Sequence, residues 1–231
     1  MPTIILVRHG VTDATGSRLG GHTDASLNDA GKTQAETTAA RLSELAIATV
    51  YSSPIVRTRE TAVILGKPHG LFPKTARGLI EVDYGDWTDR PLSECRTEPL
   101  WRTIQQAPSR VTFPGGGSIR GMQAQAVDSI ESIAAQHGDD EIVLAVSHAD
   151  VIKAILAHLL GLGLDGFQRI VVGPASSSVV YLPLGGAPTV LSMNDYGPID
   201  LPTRAAAQDD SDTVGADDDD AGQGVDTEED R

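Results

Sequence analysis

Two short, unbroken apolar runs constrain this chain more than any other feature: Thr3 to Val7 (TIILV) and Ile142 to Val146 (IVLAV). A strand with one wet face alternates polar and apolar residues. A run without alternation must be covered on both faces, as in a parallel sheet flanked by helices. Helical patterns lie between the two runs. Asn28 can cap a stretch whose inner face includes Ala35, Ala39 and Leu42. Ala48 to Ser52 reads as a second strand. Ser53-Pro54 reads as an N-cap followed by proline at the first helical position, opening a helix through about Leu65. Ser118 to about His137 reads as another helix, and Val151 to Leu160 repeats apolar residues at 151, 152, 155, 156 and 159. Val179 to Leu184 and Thr189 to Met193, joined by Gly-Gly-Ala-Pro, read as a closing hairpin. Strands alternating with helices predict an α/β layered fold.

The 231 residues suffice for one sizeable core. Their charge is unevenly spread. Of 32 acidic and 18 basic residues, net −14, the segment 205–231 holds 11 acids and one arginine, leaving residues 1–204 at −4. That segment has no large apolar side chain, so it cannot offset the entropy of ordering. The expected division is a folded domain over residues 1–200 and an acidic, disordered tail over 205–231. A domain without a basic face is not built for nucleic acid. No apolar run approaches ~18 residues, which argues against a membrane span. The amino terminus lacks the basic segment and long apolar stretch of a secretion signal. A single cysteine, Cys95, forms no internal disulfide and makes a poor metal cage. The expected setting is therefore the cytoplasm, with a homo-oligomer left open.

The informative residues are cations and histidines at the ends of buried elements. Arg8-His9-Gly10 follows the first strand at its carboxyl end, the edge where open α/β sheets bind ligands. Ser147-His148 follows the IVLAV strand in the same way, just before a helix. Arg57 falls in the first turn of the helix opened by Ser53-Pro54, where a cation opposes the helix dipole at a cost of about 0.3–1 kcal/mol unless an anion compensates. An isolated Arg-His-Gly is a weak signal, and a lone arginine can simply reach solvent. Two arginines and two histidines at such positions together suit a bound dianion, phosphate above all.

In these motifs the sequence resembles the histidine phosphatase superfamily, the phosphoglycerate-mutase-like enzymes. The resemblance begins at Leu6-Val7-Arg8-His9-Gly10 and continues through Arg18 to Asp24, Leu27-Asn28, Gly31 and Gln34-Ala35. It resumes at Ser52 to Ala62, Leu79 to Trp87, Phe113-Pro114-Gly115-Gly116 and Val146 to Lys153, spanning roughly residues 3–195. Glu81 to Trp87, Pro99 to Arg102 and Leu164 to Ile170 also resemble an actinobacterial branch whose members are named as phosphomutases. The resemblance implies a three-layer αβα sandwich with a mostly parallel central sheet.

It further implies that His9 is the nucleophile and that Arg8, Arg57 and His148 hold the phosphate oxygens. Glu81 becomes the general acid, with Asp83 nearby as an alternative. Flanking arginines would lower the His9 pKa, keeping the imidazole neutral for attack. Gly21 and Thr23 would let backbone approach the phosphate, with His22 lining the pocket. The substrate-binding set is thus Arg8, His9, Gly21, His22, Thr23, Arg57, Glu81 and His148. No metal or other cofactor is expected, because protein cations supply the charge. Asp150 is expected to cap the helix after His148 rather than move protons. His69, His137 and His158 are read as packing or surface residues, and Trp87 and Trp101 as core rather than substrate wall. The glycine runs at 19–21 and 115–117 precede no Lys-Ser/Thr and so form no P-loop. Three positions depart from the family pattern, Val11, Thr15 and Gly117, all outside the phosphate clamp. The expected function is a metal-independent phosphomonoester hydrolase acting on a small phosphorylated metabolite. A phosphomutase and a phosphate-binding regulatory domain are the alternatives.

Overall fold

The computed structural model describes residues 2–183, 186–199 and 201. The acidic segment 205–231 and part of the Gly-Gly-Ala-Pro turn lie outside the described residues. Within the compact unit Met1–Gly197, the two apolar runs become adjacent strands at the centre of the sheet. β1 is Thr3–Arg8 and β4 is Ile142–Ser147; between them in sequence come β2 (Ile47–Ser52) and the short β3 (Lys74–Thr75). β5 (Ser177–Tyr181) and β6 (Thr189–Asp195) complete the order β3-β2-β4-β1-β5-β6. The β1–β4, β2–β4 and β2–β3 pairings are parallel, and β5 and β6 close the sheet antiparallel. Register sets Val7 opposite Val146 and Arg8 opposite Ser147. Parallel pairing therefore brings His9 and His148 out at the same sheet edge.

Both sheet faces are covered, as the unbroken apolar runs require. Ile4, Leu6, Val143 and Ala145 join one core cluster with Met122, Ala126 and Ile130 of α5 (Ile119–Ala134) and Ile152 and Ile155 of α6 (Ala149–Leu159). Their alternates Ile5, Val7, Leu144 and Val146 are equally buried. They turn to the opposite side, where α1 (Asp29–Leu42) packs on α2 (Val56–Gly66) and α2 on β2 and β4. The result is the three-layer αβα arrangement with a mostly parallel sheet.

Helix starts follow local chemistry where a side chain is free to serve. Asn28 Oδ1 accepts from the Gly31 N–H at 2.9 Å, and Ser118 Oγ accepts from the Gly121 N–H at 3.0 Å. Ser53 departs from expectation. α2 begins at Val56, its flanking residue Ile55 makes no side-chain cap, and Ser53 Oγ instead partners His148 Nε2 at 2.8 Å. Both groups are fully buried, so the imidazole takes the hydroxyl that the sequence assigns to the helix. Asp150 differs too. His148 occupies the N-cap position of α6, and Asp150 lies inside the first turn. α5 stops at Ala134, short of His137, whose ring meets Tyr51 Oη and Glu141 Oε2, each at 3.1 Å. β5 starts two residues before the apolar stretch because Ser177 and Ser178, polar but buried, pair with Val7 and Leu6.

The chain between β3 and α5 wraps over the carboxyl edge. It contains three single 3-10 turns, Arg77–Leu79, Gly85–Trp87 and Pro108–Arg110, and the short helices α3 (Leu92–Cys95) and α4 (Pro99–Gln106). Trp87 is buried against Phe113, ring centroids 5.9 Å apart, and Trp101 packs half-buried on the same core. Cys95 is a buried free thiol. No helix among the described residues is long and apolar enough to cross a membrane.

Candidate active site

The carboxyl ends of β1, β2 and β4 converge on a cavity of about 250 Å³ lined by Arg8, His9, Arg57, Glu81, Tyr84 and Asp150, among others. His9 is fixed by its backbone first. Its N–H donates to the Ser147 carbonyl at 3.0 Å, and the Ala175 N–H reaches the Arg8 carbonyl at 3.1 Å. The next residue must be glycine for lack of space. A Cβ on Gly10 would stand 2.4 Å from the Gly31 carbonyl oxygen, and one on Gly31 would stand 2.1 Å from that of Val11. The His9 loop thus lies directly on the first turn of α1.

The His9 tautomer follows from its partners. Nδ1 is 2.7 Å from the Gly10 carbonyl oxygen, which can only accept, so Nδ1 carries the hydrogen. Nε2 therefore holds a lone pair, and the Arg57 Nε–H points at it from 3.3 Å. Burial, then Arg57 and Arg8, push the His9 pKa down to about 3. The ring is neutral throughout the physiological range.

Arg57 organises the site. One of its terminal nitrogens donates to the Thr23 carbonyl at 3.1 Å, and the other to the Gly21 carbonyl at 2.7 Å and to His148 Nδ1 at 3.1 Å. No acidic residue stands in the first turn of α2, and these carbonyls take up the guanidinium that opposes the helix dipole. Gly21 lines the cavity, but Thr23 and the exposed His22 do not. Thr23 contributes its carbonyl to Arg57, and His22 Nε2 sits 2.7 Å from the backbone oxygen of Glu81. The loop that the sequence assigns to phosphate contact is, in this geometry, the collar of Arg57.

His148 is fully buried behind Arg57. Because Arg57 donates to Nδ1, Nε2 carries the hydrogen and gives it to Ser53 Oγ. Burial and the surrounding cations hold its pKa well below the ordinary imidazole value. Arg8 donates to the Val172 carbonyl at 2.8 Å, while its Nε is buried with no partner in the protein. A buried donor of that kind calls for an acceptor from outside the chain, and a phosphate oxygen is a suitable one.

Glu81 faces these cations from the loop after the Arg77–Leu79 turn. Its Oε1 accepts from the Val82 N–H at 3.0 Å, and Oε2 lies 4.0 Å from His148 Nδ1. Ser147 Oγ ties the loop to β4 by donating to the Leu79 carbonyl at 2.7 Å. Burial, with Asp150 adding to it and Arg57 and Arg8 opposing, raises the Glu81 pKa to about 7. It is thus a carboxyl able to hold or release a proton near neutrality. Asp83 turns away to accept from the Gly85 N–H at 2.9 Å. The glycines at 115 and 116 pack against Gly85, where an added Cβ would stand 2.2 Å from the Pro114 oxygen. They brace the Glu81 loop.

The cavity also uses residues that motif reading passes over. Tyr84, buried edge-on to Phe113 at 4.9 Å, forms part of the wall. Thr15, at one of the departures from the family pattern, accepts from the Thr12 N–H at 2.8 Å and pairs with the Thr12 hydroxyl at 3.1 Å. Tyr84 lay inside the Glu81–Trp87 motif and could have been named from it. The Thr12–Thr15 pair is a turn contact that leaves no periodic trace. Among the described residues, no group of three or more His, Cys, Asp or Glu side chains is arranged to hold a metal ion.

Comparison with known proteins gives a consistent result. Residues 4–196 match the histidine phosphatase superfamily (branch 1). The chain is 30% identical over 186 residues to phosphoserine phosphatase 1 of Hydrogenobacter thermophilus, covering 79% of this chain and 87% of that protein. It is 29% identical over 187 residues to glucosyl-3-phosphoglycerate phosphatase of Mycolicibacterium vanbaalenii, covering 78% and 83%. The native structure of a mycobacterial glucosyl-3-phosphoglycerate phosphatase superposes with a TM-score of 0.76 at 26% identity, over 84% of this chain and 98% of that one.

Proposed function

Because the chain belongs to the histidine phosphatase superfamily, we propose that it is a metal-independent phosphomonoester hydrolase working through a phosphohistidine on His9. The observation that carries this reading is the pairing of two opposite protonation states in one cavity. His9 presents an unprotonated Nε2, met by the Arg57 Nε–H at 3.3 Å, and Glu81, its pKa raised to about 7, retains a proton to give.

In the first step the His9 Nε2 lone pair attacks phosphorus in line, the P–O(alkyl) bond breaks, and the departing oxygen takes the Glu81 proton. Arg8 and Arg57 carry the charge on the non-bridging oxygens, with His148 and Ser53 holding Arg57 in place. In the second step the Glu81 carboxylate takes a proton from water, the water oxygen attacks phosphorus, and the P–N bond breaks. Inorganic phosphate leaves, His9 regains its lone pair and Glu81 its proton. Every proton is accounted for by these two side chains, so the cycle routes nothing through a metal.

The substrate we assign is a small phosphorylated metabolite. The cavity volume of about 250 Å³ and relatives named for phosphoserine and glucosyl-3-phosphoglycerate support that class. A reducing, cytoplasmic setting fits the buried free thiol of Cys95. The test is hydrolysis of phenyl phosphate after EDTA treatment, from pH 4 to 8, with wild type, His9→Ala and Glu81→Gln. The expected outcome is turnover that persists in EDTA, falls by about 10³-fold or more in His9→Ala, and drops strongly in Glu81→Gln. Equal turnover in His9→Ala and wild type would sink the mechanism. A wild type that forms phosphohistidine but does not hydrolyse it would transfer the reading to a mutase.

A further inference from the structure

Asp150 is in the cavity wall but has no part in the chemistry above. It stands in the first turn of α6, two residues after His148. Its Oδ1 accepts from Lys153 Nζ at 3.1 Å. Lys153 is held in turn by Gln168 Oε1 at 3.1 Å and lies 5.4 Å from the centre of the Phe167 ring. With side-chain exposures of 23% for Asp150 and 16% for Lys153, the pair is largely withdrawn from water and fixed in place. A fixed, poorly screened charge acts at a distance.

The groups facing Glu81 come from every element around it. Arg8 from β1, Arg57 from α2 and Asp150 from α6 line the same cavity as Glu81. Neutral His148 stands 4.0 Å away, Tyr84 comes from the same loop as Glu81, and the His22 ring meets its backbone oxygen. The two arginines favour the ionised carboxylate, which could not serve as an acid. Asp150, on the wall of the same cavity as Glu81 and Arg8, carries the opposite charge and opposes them.

We propose that Asp150 is a positioning residue for general acid catalysis: its fixed charge, moderated by Lys153, keeps the proton on Glu81 at a pH where His9 is already free to attack. The inference rests on the roles of His9 and Glu81 proposed above. Asp150 neither gives nor receives the transferred proton. Its place on a helix, paired with a Lys153 that Gln168 also holds, suits it to set a field instead.

The experiment is a pH profile of kcat/KM for phenyl phosphate from pH 5 to 9 with wild type, D150N, D150E, K153M and Glu81→Gln. Phenolate is a poor leaving group, so the basic limb reports loss of the Glu81 proton. D150N is expected to move that limb down by about half a pH unit or more, an approximately threefold loss of kcat/KM on the limb. D150E should restore it, and K153M should move it upward. The same variants should lose less with p-nitrophenyl phosphate, whose leaving group needs the acid less. A D150N profile that is lowered uniformly, with the limb in place, overturns the proposal, as does a K153M limb that shifts downward. A basic limb that survives Glu81→Gln overturns the assignment of Glu81 beneath it, so the two failures are told apart.

Discussion

β1 and β4 have two contrasting ends. Along their length, Ile4 to Val7 and Val143 to Val146 are wholly buried hydrocarbon, close-packed on both faces. Two residues further on, the same strands deliver His9 and His148, also buried but polar, to the company of two arginines. The first arrangement is favourable in itself, because apolar area leaves water at about 25 cal/mol per Å². The second is costly: desolvation depresses both imidazoles and raises Glu81. The strands stabilise a site that is intrinsically unstable, and the boundary between the two lies within one residue of chain.

That contrast can be broken most forcefully from the apolar side. Leu144→Ala in the central strand should cost about 2–5 kcal/mol of stability while leaving kcat of the folded enzyme unchanged, as denaturant melts and turnover on one preparation would show. A proportionate fall in kcat would mean that core and site are not separable.

From the polar side, Glu81→Gln should do the reverse and stabilise the protein while disabling it. Between pH 4.5 and 7 the folded state keeps a Glu81 proton that the unfolded chain has lost. That contribution is complete below the unfolded pKa and disappears as pH rises through about 7. Glutamine imitates the protonated carboxyl at every pH. The variant should therefore exceed wild type by roughly 2–4 kcal/mol at pH 8 and by little at pH 4. His9 works in the other direction. With its pKa near 3 in the folded state against 6.5 outside it, stability is present above pH 6.5 and falls as pH drops towards 3. A Glu81→Gln gain of equal size at both pH values would contradict the assigned burial.

The smallest expected effect sharpens the boundary. Ser53→Ala leaves the His148 Nε2–H buried without its acceptor, a loss of about 1–3 kcal/mol. Arg57 then loses an oriented partner, and kcat should fall between about 10- and 100-fold. Ser53→Thr, which returns the hydroxyl, should recover most of both. An unchanged kcat in Ser53→Ala would show that Arg57 is held by the Gly21 and Thr23 carbonyls alone.

Much of this was legible in the sequence. Unbroken apolar runs require coverage on both faces, and a parallel pair must release its carboxyl ends on one edge; His9 and His148 could be brought together on those grounds. Asn28 and Ser118 are caps because no buried group competes for their side-chain oxygens. Ser53 and Asp150 were misread for the opposite reason. The Ser53 hydroxyl meets a buried histidine remote in sequence, while Asp150 pairs with Lys153 three residues on, and either partner draws the side chain away from the helix terminus. His22 and Thr23 illustrate a further limit. Residues on a tight loop can serve through their carbonyls, and a backbone oxygen carries no signature of its own in the amino-acid code.

The seam between Gly10 and Gly31 has a consequence for how such a protein can change. A single added carbon on either glycine would collide with the backbone of the other segment, at 2.4 Å and 2.1 Å respectively. No rotamer relieves a clash with main chain. A replacement at Gly31, on a helix that supplies no side chain to the cavity, would therefore act as though it had been made beside His9. For drift or design, the two positions form one inherited unit. Variation on the α1 side is confined by a cavity to which that helix contributes no side chain.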